Sequence, residues 1–279
     1  MERSITIRKI RTFRDYLYED EKSENTVEKY MRDLRVFWDY VGERVISKSI
    51  VLEYKEMLKN KYAIASVNSM LAALNKFFRY IGWLDMCVKQ FKVQKNAFCS
   101  AEKELSKDEY TRLIVAAKQK NNERLSLVIQ TICSTGIRVS ELSFITVEAV
   151  KHGQATVSLK GKTRTAFIVS ALGKKLLRYA REQHITTGAI FITKCGKPIN
   201  RTNIWREMKS LCQSADVSPE KVFPHNLRHL FARTFYEIEK DIAKLADILG
   251  HSSINTTRIY ITTTGEEHRR KMEHMHLLL

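Results

Sequence analysis

Residues 225–260 read HNLRHLFARTFYEIEKDIAKLADILGHSSINTTRIY. His225 and Arg228 stand three residues apart, on one helix face. His251 follows a Leu-Gly pair, and Tyr260 comes nine residues later. Core packing has no use for these polar groups, whereas a phosphate could engage all of them. A histidine exchanges protons near neutral pH, and an arginine grips phosphate oxygens with a fork of donors. His225 and His229 also stand at i, i+4, a spacing that can hold a metal. The glutamate of a zinc-hydrolase helix is missing, however, and no third ligand follows. Neither a metal nor a cofactor is expected.

Upstream, TGIRVSEL puts Arg138 just past a Thr-Gly break, with Glu141 one turn on. A guanidinium that follows a buried helix needs an anionic partner, and Glu141 could orient it. In SLKGKTR, Lys160, Lys162 and Arg164 sit at the turn of a β-hairpin whose strands are ATVSLK and TAFIVS.

With 3 prolines and 10 glycines in 279 residues, the remainder reads as mainly helical. Apolar residues at helical spacing predict helices over 6–19, 25–41, 47–60 and 64–81. Asn25 with Glu28 is a capping-box-like start to the second of these. These helices form an N-terminal bundle over 1–92. Residues 93–103 lose the periodicity and read as a linker. Ser106 with Glu109 is a second capping box, and it opens a domain over 104–265. There a buried helix carries Leu125, Val128, Ile129 and Ile132, a short helix starts at Arg138, and helices resume over 171–183, 201–214, 225–238, 240–249 and 253–260. A tail over 266–279 ends in the apolar MHLLL. The expected fold is mainly α: a helical bundle followed by a mixed α/β domain with a small antiparallel sheet.

Lys and Arg total 48 against 31 Asp and Glu, a net charge of +17 spread over both halves. That surplus favours a polyanionic partner wrapped by the chain. Arg8, Arg11, Lys76 and Arg79 are candidate phosphate contacts, and Asn68 is a candidate reader of base edges. Five scattered cysteines include no C-x-x-C pair, which argues against a zinc ribbon or a disulfide framework. The sequence has neither a signal-peptide core nor an 18-residue apolar run, so a cytoplasmic protein without membrane partners is expected.

Taken in order, Thr135-Gly136-Ile137-Arg138, Lys160, His225-x-x-Arg228, Leu249-Gly250-His251 and Tyr260 resemble the tyrosine recombinase (phage integrase) family. The resemblance spans nearly the whole second domain, and the N-terminal bundle looks like the family's SAM-like core-binding domain. It implies a two-domain, Xer-like form without the further arm-binding domain of lambda-type integrases. The implied activity is site-specific recombination of double-stranded DNA through a covalent 3′-phosphotyrosine and a Holliday junction.

The resemblance assigns Tyr260 as nucleophile and Arg138, Arg228 and His251 as phosphate ligands. It makes His225 a proton acceptor and Lys160 the general acid, with Lys162 as the alternative and Glu141 as support. DNA contacts would include Lys162 and Arg164. The implied assembly is a homotetramer on DNA, monomeric or weakly dimeric when free, with the tail docked on a neighbouring protomer. A directionality factor is a further partner such a reaction can use. The setting is the nucleoid of a bacterium, or a phage or mobile element. A type IB topoisomerase-like enzyme would share the chemistry and differ in assembly, and a catalytically silent DNA-binding protein would share only the grip. A metal-dependent nuclease fails for want of clustered carboxylates.

Overall fold

The computed structural model describes residues 3–92, 104–159, 162–193, 195–260 and 273. The chain divides into two compact units, residues 1–95 and 96–279.

The first unit is built from helices α1 (Ile7–Glu19), α2 (Glu24–Val41), α3 (Lys48–Lys61) and α4 (Ile64–Tyr80). Each buries one stripe: Phe13 and Leu17 from α1, Val27, Leu34 and Phe37 from α2, Val51, Tyr54 and Leu58 from α3, and Val67, Leu71, Leu74 and Phe78 from α4. The i, i+3 and i, i+4 intervals between them bring these side chains onto single faces. Phe13 meets Phe77 edge-on at 5.2 Å between ring centroids, and Phe37 meets Tyr54 the same way at 4.9 Å. The helix starts follow local chemistry, with one difference from expectation. Thr6 and Ser47 cap α1 and α3 by accepting backbone N–H groups. For α2 the cap is Ser23 rather than Asn25, and its hydroxyl pairs with Thr26 Oγ1 at 2.9 Å.

Two asparagines of α4 hold down the extended segment that follows it. Asn75, buried, donates to Val88 O at 2.8 Å and accepts from Val88 N at 2.9 Å. Asn68 makes the same two bonds with Phe91, both at 2.8 Å. This corrects the expectation that Asn68 reads base edges: its amide is committed to an internal clasp.

The second unit is organised around α6 (Glu123–Thr135), in which Leu125, Leu127, Val128, Ile129 and Ile132 are all buried. A helix apolar on every side must be surrounded. Those packed on it include α5 (Lys107–Gln119), α8 (Ser170–Glu182) and α11 (Pro224–Glu239). Ser106 and Glu109 form the expected capping box at the start of α5. The segment after Arg138 is a 3-10 turn, Val139–Phe144, followed by α7 (Val147–Lys151).

Strands β1 (Gln154–Leu159) and β2 (Lys162–Phe167) pair antiparallel, with Leu159 opposite Lys162 and Val157 opposite Arg164. The predicted helix over 201–214 is two pieces, α9 (Arg201–Lys209) and α10 (Cys212–Ala215). Helices α12 (Ile242–Leu249) and α13 (Ile254–Arg258) lead to Tyr260. No helix among the described residues is long and apolar enough to cross a membrane. The linker over 93–103 and, apart from Glu273, the tail over 266–279 lie outside the described residues.

Removing the Asn75 amide leaves both backbone groups of Val88 buried without partners. Asn75→Ala is therefore expected to destabilise the first unit by about 2–4 kcal/mol. Urea unfolding followed through Trp38 and Trp83, both of which lie in that unit, measures it.

Candidate functional site

The site begins with two helix ends. Helix α6 stops at Thr135 because Gly136 turns left-handed, with φ +64°. Helix α12 stops at Leu249 for the same reason, with Gly250 also at φ +64°. Glycine suits these positions for a second reason as well. A Cβ on Gly136 would lie 2.5 Å from the Phe231 ring, and one on Gly250 would lie 2.2 Å from Arg164 Cδ.

Into the gap between these ends α11 inserts Arg228, whose side chain is 1% exposed. Its guanidinium donates to Gly136 O, to Leu249 O at 2.7 Å and to His251 Nε2 at 3.0 Å. Both carbonyls belong to helix C-termini, where the partial charge is negative. That offsets the cost of burying the cation. Burial and the nearby charge of Arg138 push Arg228 down to about 10, and its interaction with the Tyr260 phenol pulls it back up. It remains a cation at neutral pH.

A guanidinium only donates, so His251 Nε2 must be the accepting nitrogen and Nδ1 carries the proton. Nδ1 faces Thr257 Oγ1 at 2.9 Å, and Thr257 is fully buried. Burial, then Arg228 and Arg138, push His251 down to about 4. His229 is pushed to about 4 by burial, then by His225, Arg233 and Arg228. His225 keeps an edge open to solvent, yet desolvation of the rest of its ring lowers it, followed by Arg228, Arg138 and Arg201.

Tyr260 is 5% exposed and packs with Ala232, Leu245 and Leu249. Three imidazoles surround its ring, with centroid distances of 4.3 Å for His229, 5.4 Å for His251 (stacked) and 5.7 Å for His225. Arg138 stands at the open side, its side chain 42% exposed, and donates to Glu141 Oε1 at 2.8 Å. Glu141 also accepts from the Arg138 backbone N–H at 2.7 Å and from Arg164 at 2.6 Å. Burial pushes the Glu141 carboxyl up, but these donors outweigh it and hold it below the usual range.

The fold therefore brings Arg138, Glu141, His225, Arg228, His251 and Tyr260 together. Lys160 lies outside the described residues, as does the side chain of Lys162. Arg164, expected to face DNA, is turned inward, with its side chain 10% exposed and bonded to Glu141 and to Ile248 O at 2.8 Å. Its strand alternates, and Arg164 shares a face with buried Ala166 while Thr163, Thr165 and Phe167 face out. His229 is the residue that sequence reasoning passed over as part of the site. Its i, i+4 relation to His225 was visible, but only as a metal pair. Among the described residues no group of three or more His, Cys, Asp or Glu side chains is placed so that it could hold a metal ion.

In the first unit Arg8, Arg11 and Arg79 are exposed, while Lys76 pairs with Asp20 at 3.0 Å. A groove of about 570 Å³ between α1 and α2 adds Arg14, Arg32 and Arg35 to the basic surface.

The Phage integrase family model matches residues 103–267, and the N-terminal SAM-like domain model of the same family matches residues 10–83. The chain belongs to the phage integrase family. The tyrosine recombinase XerA of Pyrococcus furiosus is 27% identical over 99% of this chain and 97% of its own length. Among solved structures, XerH recombinase bound to its difH substrate matches 89% of this chain and 78% of its own, with 19% identity and a TM-score of 0.65. A lambda integrase tetramer bound to a Holliday junction matches 92% of this chain and 77% of its own, with 17% identity and a TM-score of 0.74. The mainly helical fold with its small sheet is thus a family fold.

His229 and His251 are neutral in the folded state down to about pH 4, against 6.5 for a free imidazole. Between those values the unfolded chain binds more protons than the folded one, so stability falls as pH falls. The second unit should melt several degrees lower at pH 5 than at pH 7. NMR titration of the His229 and His251 ring protons should give midpoints near 4 rather than 6.5.

Proposed function

We propose that the chain is a site-specific tyrosine recombinase that cleaves and rejoins double-stranded DNA through a covalent 3′-phosphotyrosine on Tyr260. The observation that carries this reading is the setting of Tyr260, with three neutral imidazoles around its ring and Arg228 at its hydroxyl. A phenol of pKa near ~10 is a weak nucleophile at neutral pH and needs a proton acceptor close by. His225 is neutral and has an open edge, so it suits that role.

In the proposed step the Tyr260 oxygen bonds to phosphorus and the bond from phosphorus to the 5′-oxygen breaks. Arg138 and Arg228 bind the non-bridging oxygens and offset the charge of the five-coordinate transition state. His251, its Nδ1 proton committed to Thr257, accepts from Arg228 and so holds that guanidinium in place for those oxygens. The phenol proton goes to His225, and the leaving 5′-oxygen takes a proton from Lys160, or alternatively from Lys162. One ester bond replaces another, so rejoining to a different strand needs no ATP.

Basic residues of the first unit, Arg8 and Arg11 with Arg14, Arg32 and Arg35 of the neighbouring groove, and Arg79, are suited to hold phosphates. Residues 1–92 are read as the core-binding domain and residues 104–265 as the catalytic domain. Exchange between two duplexes requires four copies, and a Holliday junction would lie between its two halves. A tail docked on a neighbouring protomer would join the ring.

The test uses a duplex enriched for binding from a randomised pool and nicked so that cleavage traps the adduct. Wild-type protein should form a complex that resists detergent, and digestion should map the DNA to Tyr260. Tyr260→Phe should retain binding and form no adduct. A 3′-phosphate attached to any other residue would contradict the assignment.

A further inference from the structure

Arg164 is a cation that the reaction above does not use. It lies on the inward face of β2, opposite buried Val157, with its side chain 10% exposed. Its guanidinium bonds two acceptors: one terminal nitrogen reaches Glu141 Oε2 at 2.6 Å, and the other reaches Ile248 O at 2.8 Å. The absence of a side chain at Gly250 makes room for it.

The charge balance around Glu141 gives this arrangement a meaning. Glu141 is a buried carboxylate, 3% exposed, held 2.8 Å from Arg138. Alone, that pair would be neutral, and Arg138 would present little net charge to a phosphate. A second guanidinium on the other carboxylate oxygen changes the sum to one positive charge for the three groups. The carboxylate can then orient Arg138 without cancelling it. Fields are poorly screened at buried sites, so this difference persists at the distance of a bound phosphate.

We infer that Arg164 is a positioning residue that compensates the charge of Glu141, leaving the charge of Arg138 available to the scissile phosphate. The same side chain ties β2 to the carbonyl next to the one that holds Arg228, so the hairpin and the His251 turn share one anchor. The inference rests on the reading of Arg138 as a phosphate ligand.

The test is single-turnover cleavage of the nicked trapping duplex at saturating protein, with affinity for the same duplex measured in parallel. Arg164→Ala should cleave about 100-fold more slowly, with affinity within about threefold of wild type because the Arg164 side chain is turned inward and 10% exposed. Arg164→Lys keeps the charge and should stay within about tenfold of wild type. The decisive variant combines Arg164→Ala with Glu141→Gln. Removing the uncompensated carboxylate should restore cleavage to within about tenfold of wild type, whereas a merely structural role predicts a double variant as slow as the single one or slower.

A double variant without recovery, an Arg164→Lys as slow as Arg164→Ala, or an unimpaired Arg164→Ala would overturn the inference. If Arg164→Ala fails to fold by circular dichroism, Arg164→Lys and the double variant decide it. Arg138→Ala separates the two levels. If it is impaired while the pattern above fails, only this inference falls. If it cleaves like wild type, the phosphate-ligand reading falls and takes this inference with it.

Discussion

One buried cation organises the second unit. Arg228 lies where the C-terminal ends of α6 and α12 converge, and its guanidinium bonds a carbonyl from each. A guanidinium placed there without partners would cost several kcal/mol. Helix ends left without it would bury unpaired carbonyls. Each side resolves the other's deficit, so the geometry is closely specified. The left-handed glycines that end both helices are part of the same solution, because they turn the chain away and leave those carbonyls facing the guanidinium.

The remaining groups follow from that placement. His251 comes directly after Gly250 and must offer its lone pair to Arg228, which fixes its tautomer and keeps it neutral. Tyr260 closes over the same guanidinium within a cage of imidazoles. Arg138 starts from the other glycine break and is held at the surface by Glu141, which Arg164 compensates. A core of α6, α5, α8 and α11 keeps these elements in register. Stability and chemistry therefore rest on the same groups, and a loss at Arg228 should reach both.

Much of this was legible in the sequence, for identifiable reasons. The helices of both units announced themselves by apolar spacing, and the Ser106–Glu109 capping box was readable because its chemistry is local. Arg138, His225, Arg228, His251 and Tyr260 could be picked out as a set because their motifs, taken in order, resemble those of the tyrosine recombinase family. What escaped depended on contacts distant in sequence. Asn68 looked like an exposed polar residue of a basic helix, but its partner Phe91 lies beyond the end of α4. Arg164 looked like a solvated turn residue. The two-residue alternation that puts it beside Ala166 was present, but Lys162 falls on the same alternation, so the pattern did not mark that face as the inward one. Thr257, which fixes His251, gave no signal at all.

One guanidinium thus both holds the site together and supplies its charge. The most direct measurement replaces Arg228 with lysine and follows two quantities on the same sample: the unfolding free energy of the second unit in urea, and the single-turnover rate of adduct formation. A lysine keeps the charge but cannot bond both carbonyls and His251 from one planar group. Stability should fall by about 3 kcal/mol or more while the rate falls by about 100-fold or more. A variant that loses the rate but keeps its stability to within about 0.5 kcal/mol, the range of an ordinary surface substitution, would contradict it.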